Sequence, residues 1–271
     1  MNPDIVSEWI ELQARAAGAE SLIIGMSGGV DSALVAGLCT RTKLKVVGVI
    51  MPCHSSADAM DRAKEVVEKF GIINHTVNLD ESFKSIKDQL PAPTNVNFCE
   101  GALRSCLRAP VLDYVAKLYN GIIVGTGNKD EDEVTRYYQK RGDGAVDISP
   151  IAKIHKSGVY ALAREIGVPE SVLDARPSAD LWGGEDHDDE KELGMTYIEI
   201  ENAIRAAQKF SDGYVRDTHL IAAAENTNGR EREILSKLAQ MEKQTRHKTM
   251  IPVFLIEDED LGVCSGASQN C

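Results

Sequence analysis

Two hydrophobic rhythms alternate through the first half of the chain. Short runs rich in β-branched and apolar residues, Ser21–Gly25, Lys45–Met51, His75–Leu79 and Gly121–Gly125, are too brief for helices and predict buried strands. Between them apolar residues recur three or four positions apart: Leu34, Val35 and Leu38, then Ala63, Val66, Val67 and Phe70, then Leu103, Leu107, Val111, Tyr114, Val115 and Leu118. That spacing puts each set on one face of a helix. Strand and helix in alternation predict an α/β, doubly wound, mostly parallel sheet with helices on both faces. Ligands of such sheets bind beyond the carboxyl ends of the strands, where strand ends meet helix starts.

After the last strand the pattern loosens. Asp130–Asp147 is polar and carries Gly142 and Gly144, which predicts a functional loop and not a linker. A helix resumes at about His155–Ile166. Asp180–Glu192 is polar again, with Gly183-Gly184 followed by Glu185, Asp186, His187, Asp188, Asp189 and Glu190. Neighbouring acids of this kind cannot all converge on one ion, so the segment reads as a flexible lid that excludes water from bound substrate. Further helices are expected at Tyr197–Phe210 and Arg230–Arg246, and a frayed acidic end at Glu257–Cys271. With no internal repeat or low-complexity linker, the chain reads as one domain over 1–271, its core at about 18–182 and a helical C-terminal addition at about 190–256.

Composition narrows the partners. The 271 residues are 43% hydrophobic and 27% charged, ordinary values for a folded globular chain. Thirty Lys and Arg against 42 Asp and Glu leave a net charge of −12, which repels nucleic acid and anionic bilayers alike. No apolar run reaches the roughly 20 residues needed to span a membrane. The N-terminal stretch, with Asp4, Glu8 and Glu11, lacks the features of a secretory signal, so a cytoplasmic protein is expected. Cys39, Cys53, Cys99, Cys106, Cys264 and Cys271 form no C-x-x-C pair, which argues for reduced thiols over a zinc ribbon or a disulfide framework.

The sharpest chemical feature lies between the first strand and its helix: Gly25-Met26-Ser27-Gly28-Gly29-Val30-Asp31-Ser32. Gly28 and Gly29 allow a tight turn and close approach of backbone to an anion, Ser27 and Ser32 offer hydroxyls, and the helix start adds unpaired N–H groups. The G-x-x-x-x-G-K-[ST] loop is absent. Asp31 instead supplies a carboxylate, which suits a bound phosphate only with Mg²⁺ between them. The segment Ser27-Gly28-Gly29-Val30-Asp31-Ser32 resembles the pyrophosphate loop of the N-type ATP pyrophosphatases, an adenine nucleotide alpha hydrolase-like superfamily that cleaves ATP between its α and β phosphates.

A second block, Gly125-Thr126-Gly127-Asn128-Lys129-Asp130-Glu131, follows the last strand. After it come Gly142-Asp143-Gly144, Asp147, Pro150, Lys156, Arg176-Pro177-Ser178-Ala179-Asp180-Leu181 and His247-Lys248. This ordered set, running from about Ser21 to Pro252, is similar to the ammonia-dependent NAD synthetase family. The resemblance implies that deamido-NAD is amidated by ammonia with ATP as co-substrate, through an adenylated nicotinate carboxylate and with no covalent enzyme nucleophile. It implies ATP contacts from Gly25, Met26, Ser27, Gly28, Gly29, Val30, Asp31, Ser32, Thr126, Lys156 and Ser178. Mg²⁺ would be held by Asp31 and Glu131, and deamido-NAD by Arg108, Lys140, Asp147, His247 and Lys248. It also implies a homodimer.

Two places depart from the family pattern. The acidic loop is about one residue longer than several family patterns, so Asp132 or Glu133 is an alternative to Glu131. Where the family shows A-R-x-R, this chain has Ser105-Cys106-Leu107-Arg108; Arg108 fits the second arginine, Arg104 is a substitute one turn earlier, and Pro110 is expected to shorten or kink the helix. No length remains for a glutamine-hydrolysing domain, so free ammonia or a separate amidase is the expected nitrogen source. A GMP synthetase-like enzyme and a nucleotide-binding regulator without turnover are the competing readings.

Overall fold

The computed structural model describes residues 2–177 and 188–249. Four strands, β1 (Ser21–Gly25), β2 (Lys45–Ile50), β3 (Ile73–Thr76) and β4 (Gly121–Ile123), form a sheet in the order β3-β2-β1-β4. All three pairings are parallel, with Ser21 opposite both Lys45 and Gly121. The chain therefore winds outward from β1 through β2 to β3, then crosses back to lay β4 on the other side of β1. Strand order reverses between β1 and β4, and a crevice opens beyond their carboxyl ends.

The expected strands are present, with shifted boundaries at both ends of β3 and at the ends of β2 and β4. β3 begins at Ile73, two residues before His75, because its register is set by Val47 and Gly48 of β2; beyond Thr76 only single bonds continue, from Val77 N to Ile50 O (2.9 Å) and Leu79 N to Pro52 O (2.8 Å). β4 ends at Ile123, and Val124 makes one parallel bridge to Ile148.

Burial on both faces explains why β1 and β2 read as continuous apolar runs, whereas β3, expected to be buried, lies at the sheet edge with Ile73, Asn74 and Thr76 exposed. Leu22 and Ile24 pack with α1 (Pro3–Ala16), α2 (Val30–Thr40), α3 (Ala57–Phe70) and α6 (Lys156–Glu165). Ile23, Val47, Val49 and Ile123 pack on the opposite face with Phe83 of α4 (Asp80–Lys87) and with Leu112 and Val115 of α5 (Val96–Leu118). α5 corrects an expectation: it runs unbroken through Pro110. Proline removes one backbone donor and crowds the preceding turn, but Pro110 faces solvent while Ala109, Leu112 and Val115 are buried around it, so packing holds the helix on both sides.

Beyond the sheet, α7 (Glu170–Leu173) packs back on the first face. α8 (Asp189–Leu193), α9 (Tyr197–Gln208), α10 (Asp217–Glu225) and α11 (Gly229–Thr245) then bury a second cluster around Leu193, Ile200, Ile204, Leu220, Leu235 and Leu238. Val134, from the segment that follows β4, is wholly buried in that cluster. Of the lid expected at Asp180–Glu192, residues 180–187 lie outside the described residues, as do Ser178 and the acidic end, while Asp188 caps α8 and Asp189–Glu192 belong to that helix. Among the described residues no helix is long and apolar enough to cross a membrane.

Candidate nucleotide and cation site

The first wall of the crevice is the turn that leaves β1. Gly28 has φ +81°, and a Cβ there would stand 2.2 Å from the carbonyl oxygen of Ala59, so the position admits only glycine. Arg62 of α3 donates from Nε to the Gly28 carbonyl (3.1 Å). Hydroxyls brace the rest: Ser27 Oγ and Ser32 Oγ are 3.0 Å apart, Ser32 Oγ donates to Gly29 O (3.0 Å), and Gly29 N donates to Ser27 Oγ (3.3 Å). Gly29 is the N-cap of α2, whose first-turn N–H groups have no carbonyl partner within the helix. A braced turn of small residues on a helix start is built to receive an anion.

The second wall follows β4. Here Asp130–Thr135 forms a π-helical turn, which closes one more residue per hydrogen bond than an α-helical turn. Asn128, fully buried, ties the two walls together. Its Nδ2 donates to Asp31 Oδ1 (3.0 Å), while its Oδ1 accepts from the backbone N–H of Asp130 (3.0 Å) and Glu131 (3.2 Å). Asp130 accepts from Lys156 N (2.7 Å) and lies 2.6 Å from His155 Nδ1, which fixes the start of α6. Lys156 then reaches back between the walls, its Nζ 2.6 Å from Asp31 Oδ2 and 3.1 Å from Glu131 Oε1. Tyr197, from the start of α9, donates to Glu131 Oε1 (2.8 Å) and sits 4.7 Å below the Lys156 ammonium.

Charge in this cluster is finely distributed. Burial pushes the Asp31 carboxyl above its ordinary range despite the Lys156 ammonium beside it. For Glu131 burial acts in the same direction, but Lys156, the Tyr197 hydroxyl and Asn128 together outweigh it and hold the carboxyl below its ordinary value. Asp132 is pushed up to about 7, first by burial and then by the charge of Glu131. Lys156 is held charged by Asp31 and Glu131 against the effect of burial.

The alternatives left open by the longer loop now divide. Glu133 turns away from the crevice, paired with Lys153 (3.0 Å) and accepting from Val215 N (3.1 Å). Glu131 and Asp132 both face the crevice. Past the turn, Arg136 takes φ +43° and sends its buried guanidinium into the C-terminal helices, to Glu242 O (2.9 Å) and Glu242 Oε1 (3.1 Å).

Between the walls lies a cavity of about 490 Å³ lined by Ser27, Gly29–Ser32, Arg62, Glu131, Asp132, Lys156, Arg176 and Asp189. An apolar slot of about 120 Å³ opens beside it over the sheet edge, formed by Met26, Ile50, Met51, Leu112 and Val146 with Gly25 at its floor. Ser27, Thr126, Arg108 and Asp143 line both. Gly28 stands behind the cavity surface. Arg104 faces elsewhere, paired with Glu100 (2.8 Å) and 4.6 Å over the Phe83 ring, so it does not take up the family arginine's place in the crevice. Asp147 accepts from Ile123 N (2.8 Å) and closes the end of β4. Lys140 donates to His247 O (2.7 Å), and Lys248 donates to the carbonyls of Arg136 (2.7 Å) and Tyr138. Lys140, Asp147, His247 and Lys248 are thus absent from the cavity lining, although Tyr138 and Thr249 beside them belong to it. Sequence reasoning missed Arg62, Asn128 and Tyr197. Asn128 had a signal, lying inside the Gly125–Glu131 block, whereas the other two arrive from distant elements.

The donor set fits a hard divalent cation. Asp31, Glu131 and Asp132 present only oxygen, the ligand type of Mg²⁺, and their shared negative charge calls for a cation. A glycine turn on a helix start facing a cluster of carboxylates, at the switch point of a parallel sheet, defines an α/β enzyme with its ligand crevice beyond the strand ends.

The comparisons agree with that class. A family model described as NAD synthase matches residues 4–252. The NH(3)-dependent NAD(+) synthetase of Carboxydothermus hydrogenoformans is 33% identical, over 90% of this chain and 92% of that protein. Among solved structures, an NMN synthetase from Francisella tularensis is 29% identical with a TM-score of 0.78, covering 95% of this chain and 99% of that one. The NH3-dependent NAD synthetase of Campylobacter jejuni shares the fold, with a TM-score of 0.72 at 22% identity over 94% of this chain and all of that one. The chain belongs to the NAD synthase family.

Proposed function

We propose that this chain joins ammonia to the nicotinate carboxylate of deamido-NAD with consumption of ATP, yielding NAD, AMP and pyrophosphate, the last step of NAD biosynthesis. The observation that carries the reading is the convergence of Asp31 and Glu131, from opposite walls of the switch-point crevice, on one ammonium beside the glycine turn.

A carboxylate oxygen does not leave in favour of an amine at neutral pH, so it must first become part of a better leaving group. The nicotinate oxygen attacks the α-phosphorus of ATP, the α–β bridge breaks, and pyrophosphate departs; ammonia then attacks the acyl carbon and AMP is released. The apolar slot of Met26, Ile50, Met51 and Leu112 has the character to take the adenine, which extends the triphosphate over Ser27–Ser32 and toward Arg62, Arg176 and Lys156. Asp31 and Glu131 would hold Mg²⁺, which supplies charge neutralisation for the triphosphate and the departing pyrophosphate. By family resemblance Thr126 and Ser178 would add ATP contacts and Arg108, which lines the crevice, would meet the dinucleotide; Lys140, Asp147, His247 and Lys248, outside the lining, would reach it only by leaving their present positions. No side chain needs to form a covalent bond, and the Cys106 thiol is poorly suited to one, since burial and Asp143 push its pKa up. Catalysis is positioning and electrostatics. On this reading the enzyme works in the cytoplasm as a homodimer, supplied by free ammonia or a separate amidase.

A second reading has one observation in its favour, the likeness to the Francisella NMN synthetase. The acceptor would then be the mononucleotide, and Lys140, His247 and Lys248 would have no ligand to reach. Purified protein incubated with ATP, Mg²⁺, ammonium and either deamido-NAD or nicotinate mononucleotide, with AMP and the amidated product followed, decides between them. Higher kcat/KM with deamido-NAD is expected. A preference of about tenfold or more for the mononucleotide would transfer the assignment, and no AMP with either acceptor would defeat both.

A further inference from the structure

Lys156 occupies one oxygen of each carboxylate that would hold a divalent cation, and Asn128 Nδ2 occupies the other oxygen of Asp31. Lys156 Nζ binds Asp31 Oδ2 at 2.6 Å and Glu131 Oε1 at 3.1 Å, and its side chain is 6% exposed. A buried ammonium and a metal ion cannot share the same two oxygens, because like charges at such separation repel strongly where water is scarce. Cation entry therefore requires the ammonium to move, and a displaced buried ammonium needs another anionic partner.

The tether limits where it goes. Backbone N of Lys156 is held by Asp130 (2.7 Å), and the side chain runs over the Tyr197 ring, so the ammonium swings within the same cavity. Asp189 already accepts from Tyr197 (3.3 Å). Asp132 is a carboxyl whose charge the neighbouring acids disfavour. The strongest new partner is a polyphosphate lying on the glycine turn at the other side of the cavity.

We propose that Lys156 is the resident counter-ion of Asp31 and Glu131, and that the divalent cation and the triphosphate displace it together. The cation takes the two carboxylate oxygens while the phosphates take the ammonium. This inference rests on the reading of the site as one for Mg²⁺ and ATP. It makes cation and nucleotide binding cooperative, each raising the affinity of the other by the same factor.

Mn²⁺ followed by electron paramagnetic resonance on the full chain without nucleotide tests it. Wild-type protein is expected to bind Mn²⁺ weakly, Lys156→Met about tenfold or more tightly, and Lys156→Met combined with Asp31→Asn weakly again. In wild-type protein labelled with ¹⁵N-lysine, the Lys156 Nζ resonance should stay in place with Mg²⁺ alone and shift with Mg²⁺ plus α,β-methylene-ATP, a readout that holds even if Lys156→Met fails to fold. Equal Mn²⁺ affinity in wild type and Lys156→Met, or an Nζ signal that moves with Mg²⁺ alone, overturns the proposal and leaves the site's assignment standing. Absence of any analogue-dependent Mg²⁺ effect sinks both.

Discussion

The turn after β1 is shaped by backbone and hydroxyl groups that lie within six residues of one another, from the left-handed Gly28 to the Ser27–Ser32 contact. The turn after β4 is shaped by charge drawn from across the chain: Lys156 and Tyr197 hold Glu131, and Arg136 is anchored on Glu242. The first wall is set mainly by backbone and hydroxyl geometry, with α3 packed against Gly28 and Asp31 as its charged group. The second is a balance of buried charges, so its form answers to protons and cations. On the proposed function, one site would combine a seat shaped by backbone for the leaving group with one shaped by charge for the counter-ion.

The contrast can be broken most severely at Gly28. Alanine there would carry at least the roughly 1–3 kcal/mol of a left-handed non-glycine residue, and its Cβ would collide with the Ala59 carbonyl besides. Turnover should vanish and the melting temperature should drop; wild-type values for both would show that backbone geometry does not govern this wall. Asp31→Asn comes next. The amide keeps the shape and Lys156 keeps Glu131, but its NH₂ must face the Asn128 amide or the Lys156 ammonium, so the melting temperature should fall by about a few degrees while turnover falls about 100- to 1000-fold. A loss of folding as large as the loss of turnover would defeat the cation assignment. The smallest effect is expected from Asp132→Asn. In the unfolded chain this carboxyl gives up its proton near its ordinary 3.8, whereas in the folded chain it keeps it to about 7. Holding the proton therefore adds stability in full below 3.8, and that contribution is lost as pH rises through about 7. The variant should melt at a temperature that varies less between those two values; a profile unchanged from wild type would remove Asp132 from the balance.

The same division governs what the sequence could disclose. The glycine turn was readable because each of its residues answers a local demand: a positive φ, a close approach, a helix start. The central strands β1 and β2 were readable because burial on both faces leaves them almost no polar positions. β3 shifted by two residues because its start is chosen by β2 and not by its own side chains. α1 and α10 were not recognised, although Asn2 as cap, Pro3 in the first turn and Val6, Ile10 and Ala14 on one face marked α1. Pro110 misled because its penalty is local while α5 is held by tertiary packing. In the second wall the residue types were visible, but not their partition. Glu131, Asp132 and Glu133 are consecutive acids, and only the π-helical turn decides that two face the crevice and one pairs with Lys153. Tyr197 and Arg62 come from helices whose approach no nearby pattern encodes.

That π-helical turn, with Val134 sunk among the C-terminal helices and Arg136 moored on Glu242, has a consequence for biosynthesis of the protein itself. As the chain leaves the ribosome, the glycine turn near residue 28 has its bracing partners by residue 62, whereas Glu131 waits for Lys156 and Tyr197, and Arg136 for Glu242 of α11. A half-made or truncated polypeptide would carry the first wall of the crevice without the second.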